Sequence, residues 1–161
     1  MGLLDILNGM QNGPRGQTQP GKGGMSPMTM AILAVIWGTW ILVQGAGSPD
    51  ALAISVCDLG MVPGELTRMA RLGEGVPLGE VHGQLMACVV DNQSINWFTP
   101  VISMFLHGSW GHIIGNSLYL WVFGNNVEDS MGRGRFLGFY LLTGLIAALA
   151  HIAVSPASPV P

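Results

Sequence analysis

F-L-H-G-S-W-G-H-I-I-G-N-S-L-Y-L-W-V-F-G-N-N-V-E-D-S-M-G-R-G-R, running from Phe105 to Arg135, is the stretch whose reading decides the fold. Its middle is apolar enough to enter a bilayer, yet it carries His112 and Asn116. Spaced i, i+4, the two share one face of a helix. An imidazole and a carboxamide buried in lipid without partners are costly. A polar pair inside an apolar span is therefore a candidate functional site.

Two strings in this region, H-G-S-W-G-H-I-I-G-N and F-G-N-N-V-E-D-S-M-G-R-G-R-F, closely resemble the second transmembrane helix and following loop of the rhomboid intramembrane serine proteases. The likeness covers roughly 28–161 and is strongest across Ser103–His151. It implies an all-α membrane protein, with three transmembrane helices of a rhomboid-like six-helix bundle and a long, partly helical first loop. It implies that His112 and Asn116 help form an oxyanion hole, with His107 and Glu128 structural, and that no metal or cofactor takes part. The family's nucleophile sits in a later G-x-S-G motif and its catalytic histidine later still. Neither is found before Pro161, so the sequence reads as the N-terminal portion of such an enzyme.

Composition agrees with a membrane protein. Of 161 residues, 49% are hydrophobic and 9% charged, against about 25% charged in a soluble domain. Mean hydropathy is +0.46. The net charge of −3 and the lack of a basic run argue against nucleic acid as a partner. The expected partners are the lipid bilayer and transmembrane protein substrates. Cys57 and Cys88 are the only cysteines. They form no C-x-x-C motif, and pair as a disulfide only if their loop faces an oxidising compartment; two unpaired thiols are the alternative.

Taken in order, 1–27 pairs a short amphipathic segment with a Gly/Pro-rich linker, and its opening residues resemble a different small bacterial family. The partial rhomboid domain occupies 28–161. Its first span is about 28–44, its loop 45–96, its second span about 97–123 and its third about 136–154. The loop is acidic and suits short helices at the membrane surface; it lacks the W-R pair many rhomboids carry. Trp97 and Phe98 read as interface anchors. Gly111 and Gly115 form a small-x-x-x-small pair suited to helix contact. Arg15, Lys22, Arg133 and Arg135 place the N-terminus and the second loop in the cytoplasm by the positive-inside rule. The implied location is a bacterial inner membrane.

Other candidates carry less. His107 and His112 are five residues apart and would diverge on one continuous helix, so they make poor metal ligands. His82 and His151 have no evident partner. Glu128 is expected to tie down backbone or pair with Arg133 or Arg135. No serine stands in G-x-S-G, and Ser109 and Ser117 have no base in view to activate them. Two readings follow. One is a rhomboid-type endopeptidase represented by its N-terminal part and inactive alone. The other is a catalytically inactive rhomboid-like protein that binds transmembrane partners.

Overall fold

The computed structural model describes residues 26–81, 84–91 and 96–161; the expected amphipathic segment and linker, apart from its last two residues, lie outside them, as does His82. Helix α1 (Pro27–Leu42) starts at a proline in the first turn, where a missing N–H costs nothing. It runs without a charge, and Ile32, Ile36 and Trp40 form one buried stripe. A 3-10 turn, Gly45–Gly47, leads to α2 (Pro49–Leu59), which has Asp50 in its first turn, favourable against the helix dipole. A single turn, α3 (Pro63–Thr67), follows.

Next comes a two-stranded antiparallel hairpin, β1 (Gly75–Val81) and β2 (Gln84–Val89). Its register runs from Gly75 opposite Val89 to Val81 opposite Gln84, with an irregularity between Pro77 and Gly79. This corrects the all-α expectation. Gly73, Gly75, Pro77 and Gly79 discourage a helix, and the valines favour strands. The disulfide Cys57–Cys88, with Cα atoms 5.3 Å apart, joins α2 to β2. Closing a loop with a sequence separation of 31 corresponds to about 3–4 kcal/mol of chain entropy removed from the unfolded state.

The expected second span at 97–123 is not one helix. A short turn, α4 (Thr99–Ile102), passes into a 3-10 turn at Ser103–Phe105 and then breaks. Helix α5 begins only at Trp110 and runs to Met131. Ser109, in extended conformation, caps it by accepting from the His112 N–H at 3.2 Å. The polar loop expected at 124–135 is mostly helix. It shrinks to Gly132, whose φ of 83° suits a residue without Cβ. Helix α6 (Arg133–Val154) starts immediately after and is long and apolar enough to cross a membrane. At 16 residues α1 is shorter, and α5 is not among the helices that meet that length and hydropathy test.

Helices α1 and α5 pack antiparallel and are pinned at both ends. At the α1 start, Glu128 reaches across from α5. Its carboxylate accepts from the Met28 N–H (3.0 Å), the Thr29 N–H (2.7 Å) and Thr29 Oγ1 (2.9 Å). Asn125 Oδ1 accepts from the Ser26 N–H, and Asp129 Oδ1 from Ser26 Oγ. Helix α1 has no side-chain cap of its own; α5 supplies one, satisfying otherwise orphaned N–H groups. Glu128 therefore bonds the opening of α1, as the expected tie to backbone requires. Gly124 permits the contact, since a Cβ there would lie 2.9 Å from Thr29 Cγ2. At the other end, Trp110 stacks edge-on against Trp40 at 5.3 Å. The core comprises Ile32, Ile36, Trp40, Ile113 and Phe136. The C-terminal turn closes on α3, where the Gly64 N–H donates to the Ser158 carbonyl and Thr67 Oγ1 to that of Pro156.

Glu128 lies beyond the apolar part of α5, which ends at Phe123. Burial alone would push its carboxyl up. The bonds from Met28 and Thr29, with Arg133 nearby, outweigh this and hold it below the ordinary carboxylate value of 4.5. Its contribution to stability is thus complete above that value and is lost as pH falls through the lower folded value. Glu128→Gln should remove this acid sensitivity in thermal melts of the detergent-solubilised chain. Glu128→Ala should cost about 2–3 kcal/mol at pH 7 through unsatisfied buried donors. Gly124→Ala should cost about 1–3 kcal/mol by overpacking against Thr29; unchanged melting in both variants would contradict the clamp.

Candidate functional site

The break between Leu106 and Trp110 brings three polar side chains together. His107 is not on α5, so the divergence expected for a continuous helix does not arise. Its ring lies edge-on to His112 with centroids 5.1 Å apart. Its Nε2 is 3.3 Å from Asn116 Nδ2 and its Nδ1 is 3.2 Å from the Phe105 carbonyl. A carbonyl only accepts, so Nδ1 carries the proton and Nε2 accepts one amide hydrogen of Asn116. His107 is 2% exposed. It orients Asn116 and leaves the second amide hydrogen available.

His107 is itself gripped by Gln44, which is fully buried. Gln44 Nε2 donates to the His107 carbonyl at 2.9 Å, and Gln44 Oε1 accepts from the His107 N–H at 2.9 Å. The sequence reading placed Gln44 only at the end of the first span. A lone carboxamide closing an apolar helix was the available signal. Gln44, His107 and Asn116 thus connect the end of α1 to the start of α5.

His112 and Asn116 share a solvent- or lipid-accessible face of α5, with both side chains exposed. Beside them, a side chain added at Gly115 would meet nothing within 4 Å, and one at Gly111 only Ser109 Oγ at 4.0 Å. Those glycines leave an open face rather than forming the α1 contact, which Gly124 makes instead. Ser109 caps the helix, and Ser117 Oγ is buried without a partner. Among the described residues no serine hydroxyl is hydrogen-bonded to an imidazole. His151 is exposed and lines a shallow groove with Met104, Tyr140 and Gly144. Among the described residues no three His, Cys, Asp or Glu side chains gather in a way that could hold a metal ion.

Gln44→Leu keeps the volume and removes both bonds. It should destabilise the chain by about 1–3 kcal/mol through the unsatisfied His107 backbone. It should also speed hydrogen exchange at the His107 amide. Exchange and melting equal to wild type would show that Gln44 does not hold this turn.

Comparison with known proteins follows the same segment. The Rhomboid domain family matches residues 91–160. The Bacillus subtilis (strain 168) rhomboid protease GluP is 37% identical over 60 residues, 37% of this chain and 12% of that protein. Rhomboid-like protein 11, chloroplastic, of Arabidopsis thaliana is 34% identical over 64 residues, 40% of this chain and 23% of the relative. The Providencia stuartii rhomboid protease AarA is 37% identical over 54 residues, 34% of this chain and 19% of AarA. The aligned stretch thus spans less than a quarter of each relative's length. No solved structure matches. Residues 91–160 of this chain are thus similar to the Rhomboid domain family.

Proposed function

We propose that the chain supplies the oxyanion-binding wall of a rhomboid-type intramembrane serine endopeptidase that cleaves transmembrane proteins. The observation that carries this reading is the joint display of His112 and Asn116 on the open face of α5, with the Asn116 amide held by His107. Attack on a peptide carbonyl puts negative charge on its oxygen. Donors fixed beforehand stabilise that charge without reorganising. An imidazole N–H and the free amide N–H of Asn116 are such donors. The reading requires a serine nucleophile and its base packed against the face that Gly111 and Gly115 leave open.

In this reading α1, α5 as far as Phe123, and α6 are the three spans, in a bacterial inner membrane. The N-terminus and Gly132 face the cytoplasm. Two arguments of different kind support that orientation: the flanking basic residues, and the disulfide in the opposite loop, which belongs in an oxidising compartment. A second reading, a non-proteolytic membrane protein that binds transmembrane partners, is favoured by the absence of a serine–imidazole bond among the described residues.

Two experiments separate them. The 161-residue chain in lipid should not turn over a fluorogenic transmembrane substrate; turnover would contradict the assignment of nucleophile and base. Residues 91–160 should sustain activity when grafted in place of the corresponding segment of the Providencia AarA protease. His112→Ala or Asn116→Ala in that chimera should then lower kcat about 10²-fold. A folded chimera without activity would favour the second reading, and an active one indifferent to both substitutions would remove the oxyanion role.

A further inference from the structure

We propose that the Cys57–Cys88 disulfide is a reducible latch on the β-hairpin, opened by a dithiol donor that attacks at Cys57. The hairpin touches α2 but buries few of its own side chains. Along β2, Gln84, Leu85, Ala87 and Val89 are exposed, Met86 is half-buried, and Cys88 alone is buried. Along β1 through Glu80, only Val76 is even half-buried. A two-stranded hairpin is marginal by itself in water. At its base, Gly73 and Val90 N–H groups donate to the Val90 and Glu74 carbonyls; these bonds close the hairpin on itself and attach it to nothing else. The one buried side chain of β2 is therefore the one bonded to α2.

The latch also spans an opening. Cys57 and Cys88 line a cavity of about 1070 Å³, with Asp58 and Glu65 from the α2–α3 side and Val90 and Phe98 from the other. The two residues differ in exposure. Cys57 is half-buried on the cavity wall, while Cys88 is 7% exposed. Thiol–disulfide exchange requires the incoming thiolate to reach one sulfur, and access decides which.

The exchange balances as follows. The donor thiolate bonds to Cys57 Sγ, the Sγ–Sγ bond breaks, and Cys88 leaves as a thiolate that takes a proton from water. The donor's second thiol then attacks the mixed disulfide and releases the Cys57 thiol. The donor ends as a disulfide, having passed two electrons to the cystine. Without the cross-link the hairpin swings free of α2 and the cavity loses one wall.

The test uses the whole chain in lipid nanodiscs. Thioredoxin with its resolving cysteine replaced by serine should trap a mixed disulfide on the tryptic peptide holding Cys57. That peptide is distinct from the one holding Cys88, because Arg68 and Arg71 lie between them. Full reduction, verified by alkylation of both thiols, should raise hydrogen exchange across 75–81 and 84–89 at least tenfold while α5 and α6 stay protected. The double variant Cys57→Ser/Cys88→Ser should exchange like the reduced chain. Trapping on Cys88, no trapping, a hairpin still protected after reduction, or loss of protection throughout α5 and α6 would each overturn the proposal.

Discussion

A single carboxylate organises the helical part of this chain. Glu128 sits near the end of α5 and is 3% exposed, yet its partners are the Met28 and Thr29 groups that open α1, about a hundred residues earlier. The start of α1 exposes N–H groups that no preceding turn can satisfy. A negative charge there is favoured by the helix dipole as well as by the hydrogen bonds. The bonds fix the height of α1 against α5, and Gly124 lets the two backbones approach. With that end set, the antiparallel register carries Trp40 to Trp110 and Gln44 to His107 at the other end. The polar cluster around Asn116 is downstream of this alignment.

Much of this was legible in the sequence, and the failures have physical causes. The apolar runs of α1 and α6 were visible because neither contains a charge in its interior. The H-x-x-x-N spacing put His112 and Asn116 on one face. The break before α5 was missed because W-F-T-P-V-I-S-M-F-L is apolar and looks like continuous span. Hydropathy does not register that the turn ends at Phe105 and that Ser109 caps the next helix. The opposite error was made at 124–135, where polar residues suggested a loop. Asn125, Glu128 and Asp129 are polar because they grip α1, at spacings that keep them on one side of a continuing helix. The hairpin escaped notice because its alternation is weak and its strands are exposed. Its anchoring comes from a covalent cross-link whose partner lies on α2.

The candidate site shows why a motif and its function can be separated by geometry. His107 and His112 would diverge on one helix, but the helix begins only at Trp110, so the two rings meet. His107 is then no bystander. It takes one hydrogen of Asn116 and leaves the other directed away from the support. Gln44, unremarked in the sequence, holds the backbone of His107 by both of its polar groups. A catalytic donor must be preorganised to be useful, and this chain of contacts from α1 through Gln44 and His107 is a means of doing so. The similarity to the Rhomboid domain family covers 91–160; the bonds of Thr29 and Gln44 tie this segment to α1 and the turn that follows it.

The central claim, that α5 aims two donors at a developing oxyanion, is tested most directly by a structure. The subject would be an active rhomboid protease chimera carrying residues 91–160, bound to a phosphonate that mimics the tetrahedral intermediate. The phosphonyl oxygen should lie within hydrogen-bond distance of a His112 ring nitrogen and of Asn116 Nδ2, with His107 still supporting the amide. An oxygen bound only by backbone N–H groups, with His112 and Asn116 turned away, would contradict it.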